Sequence, residues 1–298
     1  MRFQNFQVGI VFLITLSFLN VHFSFAETAQ EYLDNANACF KRGDLTQAVS
    51  DFNEAIKKNP GLSEAYYKRA LAYFQLNNFI QAVSDFTEAV KIDPRLAEAY
   101  YKRALAYLRL ENSSQAIYNF SKFIALSSDL ELKDLSPTDL AEAYYMRGLV
   151  YAQERNFNQA IHDFSKSIAI NPNSKNNPHL AQSYYNRGLV YEKLGAFSEA
   201  ICDYSMAIEI DTQYAQAHNN RGFIYSRQGN FAKALFDYTN AIEIDPQYAQ
   251  AYKNRAVIYY VLNEYSKALA DVNKAEKLGL VLEPGFLVEI KQALEKEK

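Results

Sequence analysis

Residues 63–96 read SEAYYKRALAYFQLNNFIQAVSDFTEAVKIDPRL, and this arrangement of small, aromatic and charged residues returns along the chain. The fourth position of each block is held by Tyr32, Tyr66, Tyr100, Tyr144, Tyr184, His218 and Tyr252. These residues are separated by 34, 34, 44, 40, 34 and 34 positions. The sequence therefore repeats with a period of 34 residues and contains two insertions, of 10 and 6 residues.

Each block predicts two helices joined by a turn. Tyr66, Ala70 and Tyr73 are spaced by four and then three residues, so they share one face of a helix. Ala82 and Phe86 repeat the spacing of four on a second helix. The turn between the helices is marked by Gly43, Asn77, Gly195 and Gly229, and the end of the second helix by Pro60, Pro94, Pro172 and Pro246.

This pattern resembles the tetratricopeptide repeat (TPR), a helix-turn-helix unit. The characteristic positions 8, 11, 20, 24, 27 and 32 of the block 63–96 are filled by Ala70, Tyr73, Ala82, Phe86, Ala89 and Pro94. The resemblance implies an all-α fold, a right-handed α-solenoid or superhelix of stacked units. The seven expected repeats are 29–62, 63–96, 97–130, 141–174, 181–214, 215–248 and 249–282.

A single repeat cannot bury its own apolar face, so the repeats are expected to stack as one continuous array. The open end of such an array needs a cap with a polar outer face. Residues 283–298 fit this role, because Pro284 precedes an amphipathic stripe. That stripe consists of Phe286, Leu287, Ile290, Ala293 and Leu294.

The first 26 residues break the pattern. Arg2 precedes an apolar run from Val8 to Leu19, and Ser24 and Ala26 are small residues at the positions that a signal peptidase reads. We therefore expect an export signal over residues 1–26, cleaved near Ala26, and a periplasmic or secreted mature chain. An uncleaved anchor is the alternative, although this apolar run is short for a bilayer span.

Composition and motifs disfavour several function classes. The formal charge is -3, or -4 once Arg2 and the rest of the signal are removed, and no basic stripe is present, so nucleic acid is not an expected partner. Membrane contact is expected only indirectly, through partners. The histidines lack ligand-spaced neighbours, and no nucleophile motif or phosphate loop occurs, so we expect no metal, no cofactor and no enzymatic activity. Cys39 and Cys202 are expected to be free thiols, because several stacked repeats separate them.

An arginine at position 7 recurs with an aspartate at position 23. The pairs are Arg69 with Asp85, Arg147 with Asp163, Arg187 with Asp203, Arg221 with Asp237, and Arg255 with Asp271. This feature resembles the Arg-Gly/Ala variety of the repeat found in bacterial arrays. We expect partly buried ion pairs between the two helices of a repeat, and not acid-base catalysis, because five copies spread along an array cannot converge on one substrate.

The family usually binds extended peptides or helices on the concave face, which is lined by positions 2, 5, 6, 9 and 12 of each first helix. The resemblance therefore implies a partner-binding groove. Its predicted residues are Tyr67, Leu71, Phe74, Tyr101, Leu105, Leu108, Tyr145, Leu149, Tyr185, Asn186, Leu189, Asn220, Phe223 and Asn254.

Within this groove, the row Asn186, Asn220 and Asn254 resembles the asparagine ladder of protein O-GlcNAc transferases, whose amides can hold the backbone of a peptide. The alternative is that these asparagines are common fillers of their positions. Leucine at position 9, as in Leu71 and Leu105, disfavours the carboxylate-clamp form of the fold, which requires asparagine there.

Two insertions, 131–140 and 175–180, lengthen connections between repeats. Pro137 and Pro178 are each expected to be the first residue of the following helix, capped by Ser136 and Asn177 respectively. The insertions are either partner contacts or tolerated loops. The sequence thus predicts an exported, non-enzymatic scaffold or adaptor that holds a peptide or helix of a partner protein in its concave groove. The alternative is an assembly or stabilising subunit of a cell-envelope complex, acting through the edge insertions or by self-association.

Overall fold

The computed structural model describes residues 28–127, 137–170, 177–281 and 283–296. In these ranges every regular element is an α-helix, and there are fifteen of them. The predicted all-α fold of paired helices is therefore confirmed. The predicted export signal, 1–26, lies outside the described residues, as do residues 131–136, 175 and 176 of the two insertions.

The chain divides into two compact units, and the first is Met1–Glu111. Within this unit, consecutive helices pack against each other. The helices are α1 (Ala29–Arg42), α2 (Leu45–Lys58), α3 (Ser63–Gln75), α4 (Phe79–Ile92) and α5 (Ala97–Arg109).

The second unit is Asn112–Lys298. Here too, consecutive helices of the unit pack against each other. The helices are α6 (Ser113–Ser127), α7 (Pro137–Gln153), α8 (Phe157–Ile170), α9 (Leu180–Lys193), α10 (Phe197–Ile210), α11 (Ala215–Arg227), α12 (Phe231–Ile244), α13 (Ala249–Val261), α14 (Tyr265–Lys277) and α15 (Pro284–Lys296). We call the odd-numbered helices α1 to α13 first helices and the even-numbered ones second helices.

The core of each unit consists of large rings on second helices that pack against small residues on first helices. Phe86, Phe164 and Tyr204 are completely buried. A Cβ atom added to Gly188 of α9 would lie only 2.8 Å from Cε1 of Tyr204. The ring of α10 thus rests directly on the backbone of α9, which explains the alternation of small and aromatic residues in the sequence.

The turn between the two helices of a repeat always contains one residue with positive φ. Glycine takes this place at Gly43, Gly195 and Gly229, with φ of 81°, 76° and 73°. The non-glycine residues there are Asn77, Glu111, Arg155 and Asn263, with φ of 58°, 55°, 58° and 61°. The predicted turn positions are confirmed, and the structure adds two residues, a glutamate and an arginine, that are poorly suited to this conformation.

Arg155→Gly is expected to raise the free energy of unfolding by about 0.5–1 kcal/mol. The left-handed conformation costs an L-residue about 1–2 kcal/mol, and glycine avoids this cost. The larger unfolded-state entropy of glycine offsets part of the resulting stabilisation. The urea midpoint followed by circular dichroism measures the change. Gly195→Ala, at the same turn of the next repeat, is the reverse control and should lower the midpoint. A decrease for Arg155→Gly would contradict the argument.

The helix that follows each insertion begins differently. α7 begins at Pro137, as expected for proline at the first helical position. The prediction for Pro178 was wrong, because α9 begins only at Leu180. Asn177 is buried instead, where its Oδ1 accepts a hydrogen bond from the backbone N of His179 and its Nδ2 donates to the carbonyl of Ser167. Its amide therefore fixes the turn before the helix.

The end of the second unit is covered by α15. Ile290 is completely buried in a cluster with Ala256 and Val272, and Phe286 and Leu287 pack against the same cluster. The predicted cap helix is therefore confirmed.

Two further features of the fold are the state of its cysteines and the length of its helices. Cys39 is buried, Cys202 is exposed, and both are free, as predicted. Across the described ranges we find no helix with the length and apolar character needed to span a membrane.

Candidate functional site

The five predicted arginine-aspartate pairs form in the structure. In each, Nε and Nη2 of the arginine donate to the two carboxylate oxygens of the aspartate, at 2.6–2.9 Å. The pair formed by Arg187 and Asp203 is typical, with 18% and 4% of the two side chains exposed. Such two-point pairs fix the orientation of the first helix against the second.

The same arginines also reach the preceding repeat, a contact that the sequence analysis missed. The Nη1 group of Arg187 donates to the hydroxyl of Ser165 at 2.8 Å, and that of Arg221 donates to the hydroxyl of Ser205 at 2.9 Å. The equivalent acceptors of Arg69, Arg103, Arg147 and Arg255 are Asn53, Thr87, Ser121 and Thr239. The available signal was a small polar residue at position 25 of the preceding repeat.

Burial and charge have opposite effects on the pKa values of Arg187 in α9 and Asp203 in α10. Burial raises the pKa of Asp203 above its ordinary value, and the hydrogen bonds and charge of Arg187 offset only part of that rise. Burial alone would lower the pKa of Arg187, but the hydrogen bonds and charge of Asp203, together with Tyr191 and Tyr184, raise the pKa above its ordinary value. Each group carries its own desolvation cost, so the pair serves packing geometry more than net stability.

One repeat replaces the tyrosine at position 4 by a histidine. His218 is buried, as expected for this core position, and its Nδ1 lies 3.2 Å from Oδ1 of Asp237. The same oxygen accepts a hydrogen bond from Nη2 of Arg221 at 2.7 Å. These contacts are those of a structural cluster inside the repeat.

In the first unit, the predicted groove residues lie on α3 and α5. They are Tyr67, Leu71, Phe74, Tyr101, Leu105 and Leu108. Burial, together with the charge of Glu98, raises the pKa of Tyr67 to about 12, and only 9% of Tyr101 is exposed. The tyrosines therefore pack partly into the fold, while Leu71 and Leu105 are only partly buried.

In the second unit, the predicted groove residues lie on four first helices. They are Tyr145 and Leu149 of α7, Tyr185, Asn186 and Leu189 of α9, Asn220 and Phe223 of α11, and Asn254 of α13. The tyrosine rings at position 5 of α7 and α9 each pack against a ring on the residue just before the next first helix. Tyr145 stacks on His179 with centroids 4.7 Å apart, and Tyr185 lies against Tyr214 at 4.8 Å.

The three asparagines have partners within the protein. Nδ2 of Asn186 donates to the hydroxyl of Tyr145 at 3.4 Å, and Nδ2 of Asn220 donates to the hydroxyl of Tyr185 at 3.1 Å. In the third case, Nδ2 of Asn254 donates to Oδ1 of Asn219 at 2.9 Å. Each asparagine thus ties its first helix to position 5 of the preceding repeat.

An apolar row follows position 9 of the same helices. Leu149 and Leu189 are partly buried, whereas Phe223 and Val257 are each 39% exposed. Apolar side chains left in this way, one in each repeat and on a single face, form a surface suited to the side chains of a polypeptide.

A cavity of about 220 Å³ interrupts this row between α7 and α9. It is lined by Leu149, Ala152, Asn186, Leu189, Val190 and Lys193, together with Gln153. Sequence reasoning had named only three of these residues, because the cavity depends on how closely two first helices approach.

Within the described residues, no group of three or more histidine, cysteine, aspartate or glutamate side chains could hold a metal ion. The aspartates of the five arginine-aspartate pairs are instead held by arginine, and Asp51, at position 23 of the first repeat, accepts hydrogen bonds from Cys39 and Gln47. The chemistry that the face of the first helices can perform is therefore recognition, through apolar contact, amide groups and a few charges.

Family models of this repeat match most of the chain. Models described as tetratricopeptide repeat match residues 98–129, 139–213 and 215–248, and a model described as TPR repeat matches 36–77 and 70–111. Together the matches run over 36–129, 139–213 and 215–248, which is more than half of the 298 residues. No curated protein sequence matches the chain.

Solved structures with the same architecture include three instructive cases. The MamA protein is 28% identical, with a TM-score of 0.54, over 64% of this chain and 95% of its own. YrrB, described as a TPR protein with an unusual peptide-binding site, is 23% identical, with a TM-score of 0.55, over 67% and 95%. The C-terminal part of a TPR repeat-containing protein from Cytophaga hutchinsonii is 17% identical, with a TM-score of 0.68, over 88% and 99%. At 23% and 17% identity, the last two similarities show a shared fold and nothing more.

The 34-residue period, the paired helices and the family matches agree with one another. The chain belongs to the tetratricopeptide repeat family.

Proposed function

We propose that this protein is an exported, non-enzymatic adaptor that holds a peptide or helix of a partner protein against its first helices. TPR proteins are generally protein-interaction scaffolds. The observation that carries the proposal is the apolar row at position 9, where Phe223 and Val257 remain 39% exposed and Leu149 and Leu189 line a cavity between α7 and α9. A polypeptide laid along this row would bury several of these side chains at once.

The arginine-aspartate pairs support a scaffold and not a catalyst. Each aspartate already accepts two hydrogen bonds from its own arginine, as Asp163 does from Arg147 at 2.6 and 2.8 Å. Each arginine also bonds to the preceding repeat. Groups fixed in this way stabilise the stack, and they are not available as mobile acids or bases.

Export is proposed from the sequence of residues 1–26, with its apolar run and the small residues before Glu27. Cell fractionation and N-terminal sequencing of the mature protein test this part. A mature chain that still begins at Met1 and stays in the cytoplasm would refute it.

Phe223→Ser is expected to weaken capture of a bound partner by about tenfold or more, because it removes the aromatic side chain of the row, which is 39% exposed. Partners are first identified by cross-linking in intact cells and mass spectrometry, and their dissociation constants are then measured with purified proteins. Phe236→Ser is the matched control, since Phe236 is 64% exposed on the second helix α12. Its affinities should stay within about twofold of wild type.

If Phe223→Ser and Leu189→Ser both leave every partner in place, binding through the groove is excluded. Loss of the partner on deletion of 131–140, with the groove variants unaffected, would instead favour the assembly subunit that acts through its edge insertions. If a variant loses an oligomer of this chain and not a partner protein, the result would favour self-association.

A further inference from the structure

We propose that the groove of the second unit selects acidic peptide segments that carry a large aliphatic side chain. In this inference the cavity between α7 and α9 holds the aliphatic side chain, and Lys193 and Arg227 contact carboxylates of the peptide. The inference rests on the proposed peptide-binding function and specifies its ligand.

The cavity has the size and lining of a side-chain pocket. Its volume of about 220 Å³ is several times the ~30 Å³ share of one water molecule and below the ~300 Å³ at which small-molecule sites begin. Leu149, Leu189 and Val190 provide its apolar lining. A leucine, isoleucine or methionine side chain of a ligand fits such a space, while the rest of the ligand stays outside it.

Lys193 also lines the cavity, and its side chain is exposed. It stands at position 13, close to the apolar row on the same face of α9. One repeat further, position 13 is Arg227, which is exposed as well. The guanidinium of Arg227 lies 6.0 Å from the centre of the Phe223 ring and 5.0 Å from that of Phe197. The set Leu149, Asn186, Leu189 and Lys193 recurs as Leu189, Asn220, Phe223 and Arg227.

The balance of charge on this face is opposite to that of the whole chain. At the groove positions 2, 5, 6, 9 and 12 and the adjoining position 13 of α7, α9, α11 and α13, the cations are Lys193, Arg227 and Lys253, and the acids are Glu142 and Glu192. Both acids have a partner, because Oε2 of Glu192 accepts a hydrogen bond from the hydroxyl of Tyr204 at 2.6 Å and Oε1 of Glu142 lies 4.0 Å from Nε2 of His179. The chain as a whole has a formal charge of -3. Three cations and two acids that already have partners favour a ligand with negative charge.

One acceptor on the same helix receives no hydrogen bond from the described residues. This acceptor is Oε1 of Gln182, at position 2 of α9, and it is buried. A buried acceptor gains from a donor, and the backbone N–H of a ligand can supply one. This requirement suits a polypeptide better than a simple anion.

The test is selection from a pool of random dodecapeptides displayed on phage, with the full mature chain immobilised. Wild type should enrich peptides with two aspartates or glutamates near a leucine, isoleucine or methionine. For a synthetic peptide from that set, Lys193→Glu should raise the dissociation constant about fivefold or more, and added salt should raise it for wild type. Lys166→Glu makes the same charge change at an exposed position of the second helix α8 and should stay within about twofold.

The outcomes separate this inference from the proposed function. In one outcome, Phe223→Ser abolishes the enrichment, but the enriched peptides are neutral or basic, or Lys193→Glu leaves their binding unchanged. That result would overturn the acidic selectivity and leave the peptide groove standing. If no peptide is enriched in a way that Phe223→Ser abolishes, both the acidic selectivity and the peptide groove are overturned.

Discussion

Arg187→Leu is expected to lower the free energy of unfolding by about 3–5 kcal/mol, because it leaves a buried carboxylate without its partner. Only 4% of the Asp203 side chain is exposed, and both of its oxygens accept hydrogen bonds from Arg187, at 2.7 and 2.8 Å. The substitution also removes the bond from Nη1 to Ser165, which joins two repeats. Urea unfolding followed by circular dichroism near neutral pH measures the loss.

Two controls separate a stranded charge from a general loss of packing. The double variant Arg187→Leu with Asp203→Leu removes both charges and should recover a large part of the stability, since apolar pairs often replace buried ion pairs without loss. Lys166→Leu removes an exposed cation on α8 and should change the free energy by less than about 0.5 kcal/mol. If the single variant melts like wild type, the pair does not hold the helices together.

The pH dependence of the same variant gives a second readout. In the wild type, burial already raises the pKa of Asp203, with Arg187 opposing it. Without Arg187 the folded-state pKa should rise further above the unfolded value. A carboxyl whose pKa is higher in the folded protein contributes stability below the unfolded pKa and loses it as pH rises through the folded pKa. The deficit of Arg187→Leu should therefore shrink as pH falls from neutral towards the unfolded aspartate pKa of about 3.9. A deficit that grows in acid would contradict this assignment.

The contacts within a repeat could be predicted from the sequence, and the contacts between repeats mostly could not. Arg187 and Asp203 are 16 residues apart in one helix pair, so a recurring spacing fixes their meeting. The bond from Arg187 to Ser165 spans 22 residues and crosses an insertion. Its formation depends on how two repeats stack, and a period of 34 residues does not specify that.

The candidate site shows the same division. Position 9 was predicted to face the groove, and Phe223 is indeed partly exposed, because side-chain direction follows from helical periodicity. The asparagines were interpreted as a ladder that can hold a peptide backbone, with common fillers of their positions as the alternative, and Asn220 donates to Tyr185 of the preceding repeat. An amide is equally suited to a ligand and to a neighbouring hydroxyl. Only the approach of α9 and α11 decides between them, and the cavity beside Lys193 depends on a similar approach of α7 and α9.

Ile290→Ala is expected to destabilise the end of the array by about 2–5 kcal/mol, the usual range for removing a buried aliphatic side chain. Ile290 is completely buried, and its cluster contains Ala256 and Val272 of the last repeat. Because a repeat contacts only its neighbours, the loss should stay close to the terminus. Faster amide hydrogen exchange is therefore expected in α13, α14 and α15, with little change in α7 and α8.

The control for the cap lies on the same helix. Val288 is 51% exposed, so Val288→Ala should change stability by less than about 0.5 kcal/mol and leave the exchange pattern as in wild type. If Ile290→Ala were equally silent, α15 would not act as a cap, and the apolar face of the last repeat would need another cover. If instead exchange accelerated uniformly through the second unit, that unit would unfold as one cooperative block, because its repeats would then be coupled more strongly than nearest-neighbour stacking requires.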